Sequence, residues 1–248
     1  MSPLDLVGIP DWRSALIAAL FALPWLMALA WGWLRRPWLW VAVVAAALLF
    51  PLSIAWIQVP IQNGLSQLWQ SLLSREVIRR YALIVYGPTI LASGVVQEAV
   101  KLLIAMRRLG AQHDPRGGLA VGAASGAGYG GLEAFWALNA VLSVGWSWGT
   151  VQLAGPAALL PFIERFLAVP FHIGATSLAA YGHATGRTWR FWLLAAGLHS
   201  LTNYSVVLLQ MGVLNAWSLE VWVGLVSLAT VGVALWLRWR LASLSAPV

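Results

Sequence analysis

No cysteine occurs among the 248 residues, so the chain can form no disulfide and offers no thiolate to a metal; histidine, aspartate and glutamate remain as possible ligands. Charge is also scarce. Only 9% of the residues are Asp, Glu, Lys or Arg while 60% are hydrophobic, a balance that excludes an ordinary water-soluble domain. The apolar residues do not alternate with a period of two, which argues against an outer-membrane barrel. Low-complexity tracts and a persuasive internal repeat are missing too. Most of the net charge of +7 sits in short connections between apolar segments, where it describes membrane orientation and not nucleic-acid binding.

What fills the chain instead is apolar segments of bilayer-spanning length, at roughly 14–34, 37–58, 81–105, 117–144, 157–182, 190–211 and 217–237. They predict an all-α, polytopic transmembrane helical bundle of about seven spans, a single membrane domain covering 1–248, with a polar cavity inside the bilayer. Tryptophans such as Trp31, Trp38, Trp146, Trp189 and Trp239 cluster at the segment ends, the depth that amphipathic rings prefer. Arginines orient the segments. Arg35–Arg36, Arg107–Arg108–Arg116, Arg187–Arg190 and Arg238–Arg240 fall in every second connection, while 145–156 and 212–216 carry no charge. The positive-inside rule then predicts a protein of the cytoplasmic membrane with its N-terminus outside and its C-terminus in the cytoplasm. Arg75, Arg79 and Arg80 are the exception, in an outer connection where Ile61, Leu65, Leu68, Trp69 and Leu72 predict an amphipathic helix on the outer surface. Ala28-Leu29-Ala30 has the look of a cleavage triplet. However, Asp5 and Asp11 precede the first span and its apolar run continues past the triplet, so an uncleaved helix is expected.

Ionisable groups inside such segments are costly unless paired or used. The third span holds Gln97, Glu98 and Lys101, the last two three apart on one helix face. They read either as a self-neutralised packing pair or as a carboxylate base tuned by its lysine. In the fourth span Gly118, Gly122, Gly126 and Gly130 repeat every four residues, a packing ridge that leads up to Glu133. The fifth carries Glu164, Arg165 and, seven residues on, His172, with Pro170 loosening the backbone before it. Glu164–Arg165 can also be an interfacial pair, and His172 a core histidine bonded to a carbonyl. His199 and Asn203, one turn apart in the sixth span with Gln210 nearly in line, read as a proton shuttle or ligand beside an oxyanion donor, or as interhelical hydrogen-bond glue. His113 and His183 lie in or beside connections and read as bystanders. In combination, two histidines with one or two carboxylates form a zinc-type ligand set with a place left for water. Without a metal, the same groups could activate water through a glutamate. No His-Glu-x-x-His occurs.

The order Gln97-Glu98-x-x-Lys101, Gly130-Gly131-Leu132-Glu133, Glu164-Arg165 with Phe171-His172, and His199-x-x-x-Asn203 resembles the YhfC-type intramembrane metalloproteases, relatives of the PrsW proteases and, more distantly, of the CAAX prenyl proteases. The resemblance covers roughly 90–210. It implies a helical bundle around a polar intramembrane cavity, hydrolysis of peptide bonds there, and Glu98, Glu133, His172, His199 and Asn203 as catalytic residues. Glu133, His172 and His199 would hold a divalent metal, zinc being the first expectation. The implied partners are a membrane-embedded protein or lipidated peptide as substrate and the lipid bilayer, with no nucleic acid. Gln97 stands where relatives typically begin the motif with a glutamate, which shifts the role of base to Glu98 or Glu133 or leaves the chain inactive. Two other readings use the same residues: a proton or cation relay in a transporter or channel, and a non-catalytic membrane scaffold that retained the cavity.

Overall fold

A computed structural model describes residues 10–109 and 114–243, and all regular structure in them is helical. The elements are α1 (Trp12–Ala30), α2 (Pro37–Ser53), α3 (Val59–Leu72), α4 (Arg75–Arg80), α5 (Ala82–Val85), α6 (Gly87–Leu109), α7 (Pro115–Leu142), α8 (Trp148–Ala154), α9 (Leu160–Ala184), α10 (Thr188–Gln210) and α11 (Ala216–Ser243). Six stretches among the described residues are long and apolar enough to cross a membrane: 12–33, 37–72, 82–107, 148–184, 188–210 and 216–243. The expected span at 117–144 forms α7 but is not one of the six. Its glycines dilute its hydropathy, and it can afford them because every residue from Gly117 to Gly130 is buried. The helices around it do face lipid: Leu16, Leu20, Val41, Val44, Leu48, Leu225 and Leu228 are all exposed apolar side chains. So many outward-facing large apolar groups suit a hydrocarbon solvent and not water.

Two ends of the bundle are fixed by hydrogen bonds between helix termini. At one, Arg238 Nε donates to the Leu29 carbonyl (2.9 Å) and Arg116 Nη2 to the Leu241 carbonyl, tying the tails of α1 and α11 to the start of α7. At the other, the Asp11 N–H donates to Asn139 Oδ1 (2.7 Å), joining the start of α1 to the tail of α7. The first is called the arginine end below. The amphipathic helix expected at 61–72 forms as α3, but it is joined to α2, which runs through a π-helical turn at Ile54–Gln58 straight into it. Pro51, which lacks an N–H to donate, sits just before that turn.

In lipid, apolar burial hardly favours one helix pairing over another, and close backbone approach through small residues does much of the selecting. The four-residue glycine ridge does this against α9. A Cβ on Gly122 would stand 2.5 Å from the Thr176 carbonyl oxygen, one on Gly126 2.5 Å from that of His172, and one on Gly130 2.8 Å from the His172 Cβ. Gly131 lies off the ridge, its nearest neighbour the Ala22 Cβ at 3.8 Å. Gly126→Ala is therefore expected to destabilise the protein by about 1–3 kcal/mol through overpacking. Gly131→Ala should be neutral or slightly stabilising, since Ala is the better helix former. Thermal unfolding in detergent separates them, and equal melting of both variants would refute the ridge. An apolar groove of about 420 Å³ lies between α1, α2 and α7, lined by Ala18, Ala22, Val43, Gly128, Gly131 and Phe135. Gly131 and Phe135 stand two residues either side of Glu133, so the groove is on roughly the opposite face of α7 from that carboxylate.

Candidate functional site

Glu98, His172 and His199 lie near the midpoints of α6, α9 and α10, and the packing of these helices brings them into one cluster. Glu98 Oε1 accepts from Lys101 Nζ (2.5 Å) and stands 2.7 Å from His199 Nδ1, while Glu98 Oε2 accepts from Thr176 Oγ1 (3.4 Å). Lys101 reaches His172 Nδ1 at 3.0 Å with the same ammonium, and that ammonium rests over the Tyr129 ring, 5.4 Å from its centre. Tyr129 is in turn held by Ser53 (2.9 Å). An ammonium has only donors, so His172 Nδ1 is the acceptor, and a neutral His172 carries its proton on Nε2. That nitrogen faces Glu133 Oε2 at 3.2 Å. Likewise His199 donates from Nδ1 to the Glu98 carboxylate, leaving its Nε2 lone pair free.

From Glu133 the network continues outward. Glu133 Oε1 accepts from Arg165 Nη1 (2.7 Å), and Arg165 grips Glu164 through both Nε and Nη2. The two glutamates therefore differ. Glu98 spends its carboxylate on Lys101, His199 and Thr176 and is wholly buried. Glu133 keeps Oε2 without a hydrogen bond, because the 3.2 Å approach of His172 is not angled to make one.

The structure thus joins Glu98, Glu133, His172 and His199 in a single chain of contacts, with Lys101 and Arg165 as its cations. Beside the anticipated ligand set of Glu133, His172 and His199, the group whose ligand atoms lie within 4.8 Å of one another and could hold a metal ion is Glu98, His172 and His199. Glu133 meets His172 alone, on its far nitrogen. Asn203 does not turn into the cluster as an oxyanion donor; its Nδ2 donates to Ser93 Oγ (2.9 Å), and these two residues lie about a turn beyond His199 and Glu98. Gln210 is exposed at the tail of α10. His183 contacts Thr188 (3.1 Å) near the arginine end, outside the cluster, and His113 lies outside the described residues.

Three contributors carried no warning as single residues. Thr176 is one turn from His172, Tyr129 one turn from Glu133, and both sit on faces that become interior only when α7 and α9 meet. Glu220, in the second turn of α11, is a buried carboxylate close to Glu164 and Arg165, and its Oε2 has no hydrogen-bond partner.

A divalent ion fits the site by donor type, by the spacing of the three ligand atoms and by charge. With neutral histidines the network counts three carboxylates (Glu98, Glu133, Glu164) against two cations (Lys101, Arg165), one positive charge short of balance. An ion of charge two beside an uncharged Lys101 amine would close that count. The ion and the ammonium are alternatives, since both call on Glu98 and His172. Comparison with protein-family models, with characterised proteins and with solved structures finds no match for the chain.

Proposed function

We propose that the protein is an intramembrane peptidase that hydrolyses peptide bonds of membrane-embedded or lipid-anchored substrates, with Glu133 as the base that activates water. The observation that carries this reading is a carboxylate oxygen, Glu133 Oε2, free of hydrogen bonds and beside a buried Glu–His–His cluster at mid-bundle. A water against Glu133 Oε2 gives up its proton there as its oxygen adds to the scissile carbonyl carbon. The carbon–nitrogen bond then breaks, and Glu133 passes the proton to the departing amine nitrogen, leaving a new carboxyl group and a new amine. Arg165 holds Oε1 of Glu133 in place, and His172 Nε2 stands 3.2 Å from Oε2. Glu98 fixes the His199 ring by accepting from its Nδ1. Glu98, His172 and His199 would hold a divalent ion, zinc by ligand type; when bound it would supply Lewis acidity and a lowered water pKa. The resemblance of the motif order to that of YhfC-type peptidases points to the same reading.

The test is elemental analysis alongside cleavage. Protein purified without chelator is expected to carry close to one equivalent of a divalent ion, and His199→Ala to lose it. Cleavage of a membrane-anchored reporter peptide in liposomes should stop with chelator and return with zinc. A metal-free parent that cleaves normally would remove the ion from the proposal.

The unbroken file Glu98–Lys101–His172–Glu133–Arg165–Glu164 favours one second reading, a proton or cation relay. Ion flux in liposomes without cleavage would select it, and the absence of both would leave a scaffold. The arginine end belongs in the cytoplasm by the positive-inside rule. Reporter fusions after Arg36, Arg190 and Arg240 should all report cytoplasm, and a periplasmic signal at Arg190 would invert the site.

A further inference from the structure

We propose that the buried network opens to water at the end of the bundle opposite the arginines, through a mouth formed by Glu133, Glu164, Arg165 and Glu220. The mouth is negatively charged and admits cationic groups in preference to anionic ones. This deepens the peptidase reading and rests on it for what enters: a peptide segment with Lys or Arg near the cleaved bond.

Three independent observations converge on the mouth. The first is a gradient of exposure along the network. Side chains of Glu98 and Lys101 are 0% exposed and those of His172 and His199 4%, but exposure rises to 14% at Arg165, 18% at Glu133 and 30% at Glu164. Arg165 and Glu220 sit within the first two turns of α9 and α11, which start at the end away from the arginines.

The second is the sealing of the other direction. Between the cluster and the arginine end, Gly118 and Gly122 bring α7 against Ala180 and Ala184 of α9 at backbone distance. Leu102 and Ala105 of α6 and Ala195 of α10 belong to the same buried apolar cluster as Ala180 and Ala184. Along α6, the buried Leu102 and Ala105 stand between Lys101 and Met106, which lines a pocket of about 610 Å³ at the arginine end.

The third is Glu220 itself. It is 8% exposed, its Oε2 makes no hydrogen bond, and it stands close enough to Glu164 and Arg165 to act on both electrostatically. A buried carboxyl oxygen without a partner is expensive in an apolar bundle, and a proton, water or an incoming cation can satisfy it. Glu133 and Glu164 already set two carboxylates against the single guanidinium of Arg165, and any charge on Glu220 adds to that excess. Walls of low dielectric constant focus such an excess into a potential that concentrates cations.

The absence of cysteine makes the test clean, because any introduced thiol is the only one. Single variants Glu220→Cys and Gly224→Cys probe the mouth; Gly224 is one turn deeper than Glu220, where a Cβ would meet Leu167 at an ordinary 3.5 Å. Ser177→Cys, on a buried hydroxyl with no hydrogen bond, probes the sealed half. Val144→Cys, 83% exposed in the connection after α7, gives the intrinsic rates. Membrane-impermeant methanethiosulfonates, one cationic and one anionic, are applied to protein in sealed vesicles of both orientations. Both mouth variants should be modified from the side opposite the arginine end, and Ser177→Cys should stay unmodified from either. At Gly224→Cys the cationic-to-anionic rate ratio should exceed that at Val144→Cys by roughly tenfold or more, and adding Glu220→Gln should lower it. Modification of Ser177→Cys with the mouth positions inert, or no modification at any buried position, would overturn the mouth. A ratio equal to that at Val144→Cys would overturn its charge selectivity. Labelling needs no turnover, so a protein that labels as expected but cleaves nothing keeps the mouth and loses only the peptidase reading.

Discussion

In metal-free protein, Glu98→Gln is expected to destabilise the fold by about 3–5 kcal/mol, the usual cost of removing one partner from a buried ion pair. Lys101 is wholly buried, and Glu98 is the carboxylate it contacts directly, at 2.5 Å. Its other neighbours are the His172 nitrogen and the Tyr129 ring, which cannot balance a full positive charge. Glutamine keeps the size of the side chain and can still accept a hydrogen bond, so the loss measured is chiefly that of charge. Glu98→Gln combined with Lys101→Met should recover much of the stability, since deleting both members leaves no stranded ion. Unfolding in detergent, followed by heat or by denaturing surfactant, reads all three proteins. A single variant that melts like the parent would show that the pair is not what holds α6 to α9 and α10.

How far this network was legible in the sequence depends on what each residue needs to know about its neighbours. Apolar runs of fixed length place the helices because a span needs only its own residues to be apolar. Glycines four apart mark a packing ridge for the same reason, and the ridge does meet α9. The ligand set was harder. Helical spacing says that Glu98 and Lys101 share a face, but not how α6 is rotated against α9, and that rotation gives His172 to Lys101 on one nitrogen and to Glu133 on the other. It is also what puts Glu98 in the Glu–His–His group and Glu133 outside it. Spacing puts Asn203 one turn from His199, but it does not show that Ser93 of the facing helix accepts from its amide. Glu220 left no pattern at all. A single carboxylate near the start of an apolar segment looks like an end group, and only the approach of α11 to α9 buries it beside Glu164 and Arg165.

Glu133→Gln should behave in the opposite way to Glu98→Gln: it should accumulate and melt close to the parent while cleavage of a membrane substrate falls by about 10²–10⁴-fold, the range for loss of a general base. The stability side follows from Arg165. Removing the Glu133 charge does not strand this guanidinium, because Glu164 still holds it through two nitrogens. Glutamine can also keep accepting from Arg165 Nη1 through its amide oxygen. The rate side follows from Oε2, the oxygen with no hydrogen bond, which becomes an amide nitrogen that cannot take a proton from water. Glu133→Asp is the companion variant. It retains the charge but draws the carboxylate back by one methylene, so a base that must reach its water should lose most of its rate, whereas a purely electrostatic role would be largely preserved. Normal cleavage by Glu133→Gln, in protein shown to be folded, would end the case for Glu133 as the base. With Oε2 of Glu133 excluded, Glu98 would become the remaining carboxylate candidate, and it could act only after giving up Lys101 or His199, so the resting network would have to rearrange before every turnover.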